Sequence, residues 1–218
     1  MSDSAERLID NLVDDLEPVT PLPRLRSAYA VILCVWATML GVVLWSQEST
    51  IGARSLMHNG VYLCSFLGLM VAAFGATISA LASGIPGRDR LETVGTALSV
   101  LGLGFAALAC GMGIHSLGLD ARPTPAGIDL MCFEESVWLS VLPAGVILTF
   151  LVRGWAAHPF RASAIALIAS GGLGALIVHL SCGFLGPKHL LISHLSVPVV
   201  LAVLGIYPLA LLIRRIRR

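Results

Sequence analysis

Six apolar stretches, at residues 27–45, 60–82, 94–113, 136–152, 162–180 and 191–213, account for most of this chain of 218 residues. A helix needs about 20 mainly apolar residues to cross the hydrocarbon core of a bilayer. In lipid, every backbone N–H and C=O must be satisfied inside the protein, and a lone apolar stretch can do that only as an α-helix. The sequence therefore predicts an all-α integral membrane protein, a six-transmembrane-helix bundle over residues 27–213. Charged residues make up only 12% of the chain, half the roughly 25% of a soluble domain. The fourth stretch is the shortest, bounded by Glu134 and Glu135 before it and Arg153 after it. Pro143 lies inside it, and Pro198 and Pro208 lie inside the sixth; membrane helices tolerate such prolines and are often kinked by them.

The basic residues orient this bundle. With the N-terminus inside, Arg7, Arg24, Arg26, Arg88, Arg90, Arg153, Arg161, Arg214, Arg215, Arg217 and Arg218 are cytoplasmic, and only Arg54, Arg122 and Lys188 fall outside. Lys and Arg gather on the cytoplasmic side of membrane proteins, so both termini are expected in the cytoplasm. The basic tail, residues 214–218, then serves as a stop and a headgroup anchor. No basic n-region precedes an apolar run, so the first span is expected to act as the insertion signal. Nothing resembles a basic nucleic-acid surface, so no direct contact with nucleic acid is expected.

Several function classes drop out. None of the six stretches holds an Asp, Glu, Lys or Arg, whereas pumps and ion-coupled transporters usually carry such residues at membrane depth. Gly102 and Gly104, and Gly171, Gly172 and Gly174, lie inside spans. They read as close-packing positions between helices, not as a nucleotide loop, because no strand precedes them. No catalytic motif is present, and no intramembrane acid or base exists to do chemistry.

The longest segment outside these stretches is residues 1–26. In it Leu8, Ile9, Leu12, Val13 and Leu16 recur at helical spacing, forming one apolar stripe. Asp10, Asp14, Asp15 and Glu17 fill much of the rest. Asp3 and Glu6 have the spacing of a capping box. Pro18, Pro21 and Pro23 end the helix and lead stiffly into Arg24 and Arg26. A short cytoplasmic amphipathic helix is expected, and one of this length is marginal in water unless something covers its stripe. An anionic lipid surface would repel six carboxylates set against one arginine. A soluble, basic partner with an apolar groove suits it better, and a solvated tail with no partner is the competing reading.

The outer side collects soft ligands. Of five cysteines, Cys64 and Cys110 fall near the outer ends of the second and third spans and read as small buried residues. Cys132 is expected in the outer loop just before the fourth span, and Cys182 at the outer end of the fifth. His58, His115, His179, His189 and His194 fall on or near the same side, with His179 and His194 expected within reach of water. Cys132 and Cys182 allow two chemistries: a disulfide in an oxidising compartment, or capture of a soft metal as thiolates aided by histidine. Neither stands in a CxxC motif.

The start LIDNLVDDLEPVTPLPRL, the six spans, MCFEESVWLSVLPAG with Cys132 and Pro143, and VHLSCGF with Cys182 together resemble the NrsF-type membrane anti-sigma factors of proteobacteria. The resemblance covers nearly the whole chain. It implies a bacterial inner-membrane protein that holds an extracytoplasmic-function sigma factor inactive. It also implies a response to heavy-metal or oxidative stress, with Cys132 and Cys182 as the paired periplasmic sensor. On this reading Leu8, Ile9, Leu12, Val13 and Leu16 anchor the sigma factor, and Asp10, Asp14 and Asp15 add charge complementarity. No cofactor is expected beyond a soft metal ion as signal, and a homo-oligomer is left open. The rival reading is a small transporter or metal-handling membrane protein that uses the outer Cys/His set as a capture site. That reading gives the acidic segment no role.

Overall fold

The structure, a computed structural model, describes Arg7 and residues 22–46, 58–117 and 128–216. Six helices in it are long and apolar enough to cross a membrane. They are α1 (Leu25–Ser46), α2 (Gly60–Ser83), α3 (Asp89–Leu117), α4 (Ile128–Arg153), α5 (Pro159–Ser181) and α6 (Pro187–Ile216). The proposed sigma-contacting residues Leu8, Ile9, Asp10, Leu12, Val13, Asp14, Asp15 and Leu16 lie outside the described residues.

The helices run alternately up and down, which sorts their ends into two groups. Arg24, Arg26, Arg88, Arg90, Arg153, Arg161, Arg214 and Arg215 stand at or beside the helix ends of one group, here the arginine end. The start of α2, the start of α4, the end of α5 and the start of α6 meet at the other, the cysteine end. α5 is the most deeply buried helix and packs against α2, α4 and α6. α1 is the most peripheral. Large apolar side chains such as Trp45, Leu101, Trp138, Val203 and Leu204 face outward, which a soluble protein avoids over so broad an area and a bilayer favours.

Lipid tails are as apolar as leucine, so helices in a membrane associate through close packing and hydrogen bonds, not through burial from water. The α2–α3 hairpin makes this plain. Gly68, Ala72, Gly75 and Ser79 face Gly95, Ser99, Gly102 and Ala106, with backbone against backbone. The steps of four, three and four residues average about 3.7, close to the 3.6-residue turn of a straight α-helix, so each row stays on one helix face. Ser79 Oγ donates to the Glu92 carbonyl at 2.9 Å, locking the seam near the arginine end. The turn between the two helices uses Gly87 at φ +78, the left-handed region that glycine enters without steric cost. At that same end Arg161 Nε meets Glu92 Oε1 at 3.0 Å, and the Trp155 amide donates to the Gly84 carbonyl at 2.8 Å.

α1 is held by two long-range bonds. Tyr29 Oη donates to the Phe74 carbonyl at 2.9 Å, and Trp36 Nε1 to the Leu173 carbonyl at 3.0 Å. Replacing Trp36 by phenylalanine is expected to destabilise the chain by about 0.5–1.5 kcal/mol, read as a lowered midpoint of unfolding in detergent. Trp45, 92% exposed, should tolerate the same change.

Two sequence expectations need correction here. α4 starts at Ile128, not at residue 136, so Cys132, Glu134 and Glu135 ride on its first turns and not in a loop. Hydropathy marks where the bilayer ends, but backbone bonding carries the helix further, with Glu134 and Glu135 on its exposed side. His179 and His194 do not reach water: both are fully buried, because α2, α5 and α6 close over them.

Candidate functional site

The cysteine end draws together residues that are far apart in sequence. Cys132 lies one turn into α4, where its carbonyl accepts from Ser136 Oγ at 2.7 Å. Cys182 follows the last residue of α5, and its amide still donates to the Val178 carbonyl at 2.8 Å. The two sulfurs stand 3.8 Å apart, and both cysteines are free. A disulfide needs a sulfur separation of about 2.0 Å, so the two sulfurs are in contact here without a bond between them. The hydrogen bond from Cys132 holds the Cys182 thiol below its ordinary pKa, against the opposite pull of burial.

α6 supplies the rest. After Pro187–His189 the chain makes a π-helical segment, Leu190–Leu195, before resuming as α-helix at Ser196. Such segments are rare, single-turn features and often mark functional sites. His189 Nε2 lies 3.3 Å from Cys182 Sγ. Its Nδ1 meets Asp129 Oδ1 at 2.5 Å, and Ser193 Oγ donates to the same carboxylate oxygen at 3.2 Å. With Nδ1–H given to Asp129, the free lone pair of His189 is on Nε2, aimed at the sulfur.

His194 is buried beside them, its ring centroid 5.2 Å from that of His189 and 5.3 Å from that of His179. Neither ring nitrogen of His194 meets a hydrogen-bond partner among the described residues. His179 shares that lack, but its ring stacks on Tyr62 with centroids 4.3 Å apart, and Tyr62 Oη donates to the His179 carbonyl. One potential ligand atom from each of Cys132, Cys182, His189 and His194 falls within 4.8 Å of every other.

The two cysteines singled out in the sequence are thus brought together, and three further residues join them. His189 and His194 were legible only as part of a histidine-rich outer side, and Asp129 not at all. The usable signal was His189 and His194 five residues apart, with Asp129 three residues before Cys132. Cys34 faces outward, Cys64 is half-buried, and Cys110 is buried in a cluster with Tyr62, Ala106 and Leu190, outside the four-donor set.

No curated protein and no solved structure matches the chain. The family model described as negative regulator of sigma F, NrsF, matches residues 12–215, nearly the full length. The chain belongs to the NrsF family of negative regulators of a sigma factor.

Proposed function

We propose that this protein holds an extracytoplasmic-function sigma factor inactive at the bacterial inner membrane and releases it when Cys132 and Cys182 meet a periplasmic heavy-metal or oxidative signal. The observation that carries the reading is the contact of these two free thiols, 3.8 Å apart, at the end of the bundle opposite the arginines. Because basic residues gather on the cytoplasmic side, the arginine end faces the cytoplasm with both termini, and the cysteine end faces the periplasm. The acidic segment of residues 1–26 then shares a compartment with the sigma factor. Its stripe of Leu8, Ile9, Leu12, Val13 and Leu16 would seat in an apolar groove of that partner, with Asp10, Asp14 and Asp15 meeting basic residues around it.

Signal and output lie on opposite sides of the membrane, so the bundle must carry the change. α6 spans that distance as a run of 30 residues, from Pro187 to Ile216. α4 does the same from Cys132 to Arg153, through Pro143, whose nitrogen has no hydrogen to give the preceding turn. A rearrangement at the cysteine end therefore has two direct routes to the arginine end.

Deleting residues 1–20 tests the reading. Full constitutive expression of the sigma factor's target genes is expected, with the shortened chain still inserted in the membrane. Unaltered expression together with altered cellular metal content would favour the transporter or metal-handling reading instead.

A further inference from the structure

We propose that Cys132, Cys182, His189 and His194 form one four-coordinate site for a soft divalent cation of the zinc and cadmium type, with Asp129 orienting His189 from behind. This deepens the sensor reading, and access to the site from the periplasm rests on it.

Size is the first argument. Tetrahedral zinc with sulfur at about 2.3 Å and nitrogen at about 2.0 Å has sulfur–sulfur edges of about 3.8 Å and sulfur–nitrogen edges of about 3.5 Å. The Cys132–Cys182 edge is 3.8 Å and the Cys182–His189 edge is 3.3 Å. All four donors lie within 4.8 Å of one another, so small side-chain shifts close the set around an ion. Two thiolates and two imidazoles are also the donor set that selects zinc-like ions over calcium or magnesium, which take oxygen.

The supporting residues make the second argument. A metal-bound histidine almost always gives its other ring N–H to a carboxylate, carbonyl or water, which fixes the ring and raises its basicity. His189 does this through Asp129 at 2.5 Å. A site built only for packing would have no use for that carboxylate at the membrane edge.

His194 separates the metal reading from a simple thiol contact. A hydrogen bond between Cys132 and Cys182, with His189 capped by Asp129, accounts for three of the four groups and leaves His194 without a purpose. A buried ring lacking any partner costs about 1–3 kcal/mol, and a cation bound at one of its nitrogens removes that cost for the bound atom. His179 shares the deficit but stays outside the four-donor set, flat against Tyr62.

The π-helical segment explains how the two histidines come together. In an α-helix, residues five apart point about 140° away from each other. A π-turn closes its bond between i and i+5 and brings the two residues round to the same face. Residues 189 and 194 are separated by that interval: the segment Leu190–Leu195 begins directly after His189 and contains His194. Regular α-helix here would turn His194 out of the cluster.

The test uses the purified, reduced full-length protein in detergent micelles, titrated with cobalt(II) and then with cadmium(II) in competition. The expected result is one ion per chain, with the intense visible absorption of tetrahedral cobalt and a thiolate-to-cobalt charge-transfer band, both displaced by cadmium. A pale octahedral spectrum, or the absence of the charge-transfer band, would overturn the proposal without any variant being made. His194→Gln should weaken cadmium binding by about a hundredfold and Asp129→Asn by about ten- to a hundredfold. His179→Gln, which removes the neighbouring histidine outside the set, should leave affinity unchanged. Wild-type affinity in His194→Gln would also sink the proposal. If the protein fails to bind these ions while residues 1–20 still prove necessary for repression, the metal site falls and the anti-sigma reading stands.

Discussion

Replacing Gly102 by leucine is expected to break the α2–α3 hairpin and with it the bundle. A Cβ at this position would lie 2.5 Å from both the Ala72 nitrogen and the Gly68 carbonyl oxygen. Both are backbone atoms, so no side chain can rotate away, and the helices must move apart. Overpacking a close contact costs typically about 1–3 kcal/mol and occasionally more. Here the displacement spreads along a seam in which a Cβ on Gly68, Gly75 or Gly95 would also lie within 2.8 Å of a neighbour, so the upper end of that range or beyond is expected. The measurement is the fraction of monodisperse protein extracted in mild detergent, together with its midpoint of thermal unfolding. Gly102→Ala should show a smaller loss of the same kind. Gly104→Ala should show none, because nothing lies within 4 Å of the position its Cβ would take. Equal tolerance at residues 102 and 104 would mean that the hairpin is not held by close backbone contact.

The same two glycines mark the limit of what the sequence discloses. Glycine density in the third and fifth spans points correctly to close helix packing, but it treats Gly102, Gly104, Gly111 and Gly174 alike. In three dimensions a Cβ on Gly174 would collide with the Ser136 carbonyl and the Ser140 hydroxyl, while Gly104 and Gly111 face open space. Which face a glycine occupies depends on helix rotation, and composition does not encode that. Spans are legible because a bilayer demands a length of apolar residues. Their ends are less so, since α4 continues eight residues beyond the apolar run, through Glu135, Glu134 and Asp129 to Ile128.

The candidate site was half legible for a related reason. Topology alone brings Cys132 and Cys182 to one side of the membrane. It does not bring His194 to them, because a five-residue interval fits neither the 3.6-residue period of an α-helix nor the two-residue period of a strand. Only a local departure from α-helical geometry makes that interval meaningful, and no residue type announces a π-turn. Asp129 is not legible at all, because its place on α4 depends on the helix starting at Ile128, and hydropathy does not show that start.

Replacing Cys132 and Cys182 by serine is expected to abolish induction while leaving repression intact. Repression, on the proposed function, resides in residues 1–26 and in an inserted bundle, and neither depends on these sulfurs. Induction needs the cysteine end to shift an equilibrium across the membrane. Moving a population from 99:1 to 1:99 takes about 5.5 kcal/mol of differential binding. A soft cation held by two thiolates with nanomolar affinity releases about 12 kcal/mol in all, enough to supply that difference. Two imidazoles alone are a far poorer trap for such an ion. A disulfide needs both sulfurs by definition. Each single substitution should therefore cost as much as the pair, a non-additive result expected of groups that act as one unit. His194→Gln divides the two signals. It removes a metal ligand and leaves the thiols 3.8 Å apart, so the response to cadmium should be lost while the response to a two-electron oxidant survives. The measurement is reporter expression from a target promoter of the sigma factor, with and without each signal, beside immunoblots that fix the amount of membrane-inserted protein. Unchanged induction in the double serine variant would remove the sensor role from this pair. Loss of both responses in His194→Gln would mean that the histidine supports the thiols generally and does not act as a metal ligand.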